Sequence, residues 1–150
     1  MDTLPAATPP RPQYRLFDSR AVGIAAFFCC PLGGAILIAV NYGRLGKAGR
    51  AVLAIILGLI GNALGILIKL IWTTAPGSLD RLELDAFEIL FLACMWISVW
   101  QAAKQAQGQA VEEHVARGGQ LGSTAAAFAV GIGALVGLAL VAGCVISAYQ

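Results

Sequence analysis

The sequence predicts an all-α, polytopic helical membrane protein, and three observations carry that prediction. Hydrophobic residues make up 59% of the 150-residue chain and charged residues only 12%, whereas a water-facing domain carries about a quarter charged residues. The apolar residues gather into four runs, 21–40, 51–72, 87–103 and 124–149, at or near the length of about 20 residues that a helix needs to cross roughly 30 Å of hydrocarbon. The runs lack the alternation of a barrel strand, so their backbone amides must be paired inside helices.

Ahead of the first run, "MDTLPAATPPRPQYR" holds four of the six prolines. It reads as a mobile N-terminal tail over residues 1–20, followed by a single helical membrane domain over 21–150. Tyr14, Leu16 and Phe17, flanked by Arg11, Arg15 and Arg20, are suited to resting on an anionic headgroup layer. A cleavable signal peptide fits poorly, because a polar stretch precedes the run and the run exits through Asn41-Tyr42-Gly43-Arg44.

The first run contains Pro31, Gly33 and Gly34, which leaves two readings open. It is either one spanning helix kinked at Pro31, or a re-entrant hairpin that turns at Pro31-Leu32-Gly33-Gly34 and leaves on the side it came from. Lysine and arginine near the run ends divide five against five if all four runs span, and eight against two if the first turns back. The rarity of re-entrant segments weighs for the kinked span and the charge tally for the hairpin; the first weighs slightly more. Under both readings the 41–50 and 104–123 loops share a face, expected to be cytoplasmic, and the 73–86 connection lies on the periplasmic side.

The second run carries Gly61 and Gly65, and the fourth carries Gly133 and Gly137. Glycines four apart lie on one helical face and admit a neighbouring backbone, so the second and fourth runs are expected to cross in contact. Asn62, in the middle of the second run, is expected to bond across to another helix. Asn41 joins Asn62 and Glu88 as a polar group that would line a path in an oligomeric transporter. Ser78 reads as a helix cap with Asp80 in the first turn, and Asp85 and Glu88 are spaced to share a face. That face reads first as an acidic helix start kept at the surface by its own charges and second as a place for a cation or basic peptide. Gly118-Gly119 reads as a helix stop and Ser123-Thr124 as the start of the last helix. Tyr42, Trp72, Trp100 and Tyr149 fall near run ends, the depth that amphipathic rings prefer.

Reactive constellations are absent from this pattern. The single histidine, His114, lies in "AVEEHVARGG" without the second histidine of a zinc-protease helix. "LGKAGR" lacks the Ser or Thr of a phosphate-binding loop. Cys29, Cys30, Cys94 and Cys144 lie in apolar runs without paired C-x-x-C spacing and read as small packing residues. No catalytic, cofactor-binding or metal site is therefore expected. A net charge of +2 with scattered basic residues also gives no nucleic-acid footprint. The expected partners are the lipid bilayer and either another protein or a second copy of the chain.

The order of features, with "PLGGAILIAVNYGRLGK" at residues 31–47, resembles a family of small uncharacterised bacterial inner-membrane proteins in which a P-x-G-G…N-Y-x-x-L-G-K stretch recurs. The resemblance covers about residues 17–147 and implies an inner-membrane location and the same four-segment layout. It implies no activity. The expectation is a non-enzymatic membrane protein acting through helix and protein contacts, as an accessory subunit or an immunity-type partner of a membrane-acting toxin. The alternative is a small transporter or channel subunit.

Overall fold

The computed structural model describes residues 11–28, 30–74 and 81–148, with the backbone alone at 72, 73, 81–85, 87, 88, 145 and 146. Its helices are α1 (Ser19–Phe28), α2 (Pro31–Arg44), α3 (Ala48–Thr74), α4 (Arg81–Ala116) and α5 (Thr124–Ala148). Two short strands, β1 (Arg15–Leu16) and β2 (Gln120–Leu121), pair in parallel. The protein is all-α, and three of its helices contain stretches long and apolar enough to cross a membrane: Ala48–Ile71, Ile89–Ala116 and Thr124–Cys144.

The first apolar run is two helices, not one kinked helix. Pro31 occupies the first turn of α2, where its missing amide costs nothing, and it disfavours helical backbone in the residue before it. Cys30 is accordingly extended. The break therefore falls between Phe28 and Pro31, ahead of the Pro-Leu-Gly-Gly turn expected from the sequence, and Gly33 and Gly34 lie inside α2. The two helices fold back on one another: a Cβ on Gly34 would sit 2.9 Å from the Ala26 Cβ and 3.2 Å from the Val22 carbonyl oxygen of α1. Further along, Asn41 near the end of α2 bonds the backbone of Phe17, just ahead of α1. The chain thus returns to where it started.

Residues 15–20, assigned to the tail in the sequence, belong to the folded body. Leu16 is fully buried and Phe17 nearly so, which removes both from the expected headgroup contact. β1 lies beside β2, and the Gly122 amide extends the pairing with a 2.8 Å bond to the Leu16 carbonyl. Asp18 caps α1 by accepting from the Ala21 amide at 2.7 Å.

The remaining boundaries follow from local chemistry. α2 is closed two residues past its end by Gly46 (φ 71°), whose amide bonds the Gly43 carbonyl while the Lys47 amide reaches back to Tyr42. α4 is closed likewise by Gly118 (φ 78°) with the same pair of bonds, Gly118 to Val115 and Gly119 to His114. This two-bond closure needs a left-handed residue that glycine supplies without a Cβ clash. The stop expected at Gly118-Gly119 is present, and Ser123 caps α5 by accepting from the Ala126 amide at 3.1 Å. Residues 104–116 differ from expectation in that they continue α4 without interruption.

Helix α4 lies antiparallel to α1, with a Cβ on Gly23 placed 2.9 Å from the Trp96 Nε1. α2 packs on α3, α4 and α5, and α5 also packs on α1. Among the described residues, the second and fourth runs do not pack closely on one another. Gly61 and Gly65 face Met95 and Phe91 of α4, while a Cβ on Gly133 or Gly137 would meet open space. The tight approaches occur instead at Gly34 and at Gly58, where a Cβ would lie 2.3 Å from that of Ala35. The buried core, including Phe17, Val22, Leu37, Ala103 and Ala127, lies among α1, α2, α4 and α5.

Because those clashes involve backbone or rigid Cβ atoms, Gly34→Ala and Gly58→Ala are each expected to destabilise the protein by about 1–3 kcal/mol. Gly133→Ala and Gly137→Ala are expected to leave it unchanged or to raise it by up to about 1 kcal/mol through helix propensity. Thermal unfolding in detergent, compared across the four variants, checks the contrast.

Candidate functional site

The functional features of the described residues collect at the end of the bundle where residues 11–18, the α2–α3 turn and the α4–α5 turn meet. Asn41 is their centre. Its side chain is fully buried, its Oδ1 accepts the Phe17 amide at 2.8 Å, and its Nδ2 donates to the Phe17 carbonyl at 2.7 Å and to Gln107 Oε1 at 2.9 Å. The carboxamide pairs with a backbone unit as a neighbouring strand would. Gln107, also buried, completes the network by donating from Nε2 to the Ile38 carbonyl at 2.8 Å. One amide pair therefore ties the start of α1, the end of α2 and the C-terminal third of α4. Both donors of Asn41 are used inside the fold, so it is a structural clamp rather than an open polar position.

The residues next to Asn41 reinforce the same junction. Tyr42 donates its hydroxyl to the Ala106 carbonyl at 3.3 Å. Arg44 donates to the Arg15 carbonyl and lies 5.7 Å from the centre of the Phe17 ring, in cation–π range. The "NYGRLGK" stretch thus has a physical reading. Asn41, Tyr42 and Arg44 each grip a different partner, and Gly46 turns the chain so that α3 starts alongside.

His114, the lone histidine, is nearly fully buried. Its Nε2 lies 3.2 Å from the Gln120 carbonyl, and its ring stacks on Tyr14 at 4.8 Å. Nδ1 is buried with no partner among the described residues. The ring fills the place a side chain at Gly119 would take, and Phe17 does the same at Gly122. His114 is a pillar between the N-terminal segment and the α4–α5 turn. Among the described residues no three His, Cys, Asp or Glu side chains gather as metal ligands. Cys30, Cys94 and Cys144 are free thiols, the last two exposed.

Beside the clamp, an open groove of about 580 Å³ runs between α2, α3 and α4. Pro31, Ala35, Gly58, Gly61 and Met95 are among its lining residues, and Tyr42, Arg50 and Gln105 stand at one end. Arg50 is exposed and makes no ion pair among the described residues. The small residues of α2 and α3 create the space, because α4 meets them through longer side chains such as Met95 and Val99.

Several residues singled out from the sequence lie elsewhere. Asn62 is half-buried on α3 and makes no side-chain hydrogen bond among the described residues. The Asp85 and Glu88 side chains, and Ser78 with Asp80, fall outside the described residues, as do the side chains of Trp72 and Tyr149. Trp96 and Trp100 stack on one another at 6.4 Å, and the Lys104 ammonium lies 5.8 Å from the Trp100 ring. Sequence reasoning missed Gln107 and Arg50. The signal for Gln107 is the stripe Ala103, Gln107, Val111 and His114 at helical spacing, which is the buried face of this half of α4.

Comparison of the chain with protein-family models, curated proteins and solved structures returned no match, so the site is read from its own geometry.

Replacing Asn41 with Asp keeps the acceptor for the Phe17 amide but removes both donated bonds, leaving the Phe17 carbonyl and the Gln107 Oε1 unpaired in a buried site. The expected loss is about 2–6 kcal/mol, from roughly 1–3 kcal/mol for each of the two buried groups left unpaired. Asn62→Leu, by contrast, is expected to be within about 0.5 kcal/mol of the parent. Chemical denaturation in detergent measures both.

Proposed function

We propose that this chain is an integral protein of the bacterial inner membrane in which α3, α4 and α5 cross the bilayer and α1–α2 forms a re-entrant hairpin. It works without catalysis, through helix and protein contacts, as an accessory subunit or an immunity-type partner of a membrane-acting toxin. The observation that carries this reading is the uncovered apolar surface of the long helices. Leu57, Leu59, Ile66 and Leu67 of α3 and Leu135, Val136, Leu140 and Val141 of α5 are exposed, and little of either apolar stretch is covered by the rest of the chain. Surface of that extent on a 150-residue chain calls for lipid or for partner helices.

The folded-back α1–α2 pair supports the sidedness. It brings Arg15 and Arg44 to one end, beside the turn that holds Arg117. With the tail on that side, eight lysines and arginines flank one face and Lys69 and Arg81 the other, which favours a cytoplasmic location for the richer face. Asn41 being a closed structural clamp removes one of the three polar positions on which the transporter alternative rested.

Two measurements test the reading. In a cysteine-free background, Gln13→Cys and Gln109→Cys are expected to resist a membrane-impermeant maleimide applied from the periplasmic side, and Ser78→Cys is expected to react. Labelling of Gln13→Cys together with Ser78→Cys overturns the hairpin topology. Reconstituted vesicles are expected to pass ions and small solutes no faster than empty ones; a saturable flux would favour the transporter.

A further inference from the structure

We infer that the groove between α2, α3 and α4 is a binding site for one acyl chain of an anionic phospholipid, with Arg50 holding the lipid phosphate. The inference rests on the membrane reading above and goes beyond it by naming a ligand.

Three features point to that occupant. The first is length. The groove runs from Pro31 to Tyr42 on α2, from Gly61 to Arg50 on α3 and from Met95 to Ala106 on α4. Each stretch advances 11 residue steps, or about 16 Å at 1.5 Å per residue, which matches half of the roughly 30 Å hydrocarbon thickness. The site is one leaflet deep.

The second is the one-sided placement of polar groups. Apolar residues such as Pro31, Gly61 and Met95 line one end, and the polar side chains Tyr42, Arg50 and Gln105 stand at the other. That end adjoins the α2–α3 turn, the face proposed above as cytoplasmic. An acyl tail in the groove would therefore place its headgroup at the basic end, at the depth where headgroups lie.

The third is charge. Arg50 is exposed at the mouth and has no carboxylate partner among the described residues, and Lys47 stands three residues away in the turn. A guanidinium offers parallel donors to phosphate oxygens, and the net positive mouth prefers a headgroup with a net negative charge. A partner helix would fit less well. The cavity volume of about 580 Å³ is that of a small-molecule site.

Full-length protein in vesicles of equal phosphatidylglycerol and phosphatidylcholine, released into the gas phase for native mass spectrometry, tests the proposal. The wild-type protein is expected to retain a single phosphatidylglycerol in preference to phosphatidylcholine. Arg50→Gln is expected to lower that preference roughly fivefold, the effect of one basic residue at an anionic surface, and Arg50→Lys to restore most of it. Arg117→Gln, which changes a cation away from the groove, is expected to leave the preference intact. Ala54→Phe, which fills the groove from α3, is expected to abolish retention of both lipids. Circular dichroism and thermal unfolding confirm that each variant is folded. An inserted wild-type protein with no preference overturns this inference alone, as does a folded Arg50→Gln protein with the wild-type preference. A chain that stays in the aqueous phase overturns the membrane reading with it.

Discussion

The buried carboxamide of Asn41 is the constraint on which the rest of the structure depends. Its side chain meets the backbone of Phe17 across 24 residues and the side chain of Gln107 across 66, and no solvent reaches it. A polar group in that position is tolerated only when fully paired, because an unmade hydrogen bond in an apolar interior costs more than a made one contributes. The requirement fixes three things together. The first apolar run must fold back so that residue 41 meets residue 17, α4 must present Gln107 at the same height, and the N-terminal segment must lie down beside β2.

Small residues decide how closely the helices approach once that junction is set. Gly34 and Gly58 lie where α2 meets α1 and α3, and each position is filled by a neighbour that a side chain would displace. The glycine pairs of α3 and α5, which repeat at the same spacing, play no such part between those two helices. Spacing places two glycines on one helical face, but which face meets a partner is decided by the hairpin and by the polar junction. The same small residues of α2 and α3 leave the lateral groove open against α4.

Much of the secondary structure was legible in the amino-acid sequence, for identifiable reasons. Long apolar stretches, the Gly118-Gly119 stop and the Ser123 cap act within a few residues of themselves, so local chemistry reveals them. The first run was ambiguous because Pro31 is equally at home in a kink and at the first position of a helix; the fold of the following residues resolves it. Gln107 was hidden among Gln101, Gln105 and Gln109, where composition does not separate a buried amide from exposed ones. Residues 15–17 were read as tail because their partners, Asn41 and the 120–122 segment, lie more than twenty residues away in the chain. His114 stood out in the sequence only as a lone histidine, and its role as a pillar depends on the space left by Gly119.

The folded-back pair of short helices has a consequence for the shape of the molecule. α1 and α2 reach only part of the way along the bundle, so a section near the Asn41 junction cuts five helical rods and a section near the far ends of α3, α4 and α5 cuts three. On the proposed placement the protein takes up more lateral area in one leaflet than in the other. It is then a wedge, and a wedge relieves packing stress best where the bilayer bends toward its narrow side.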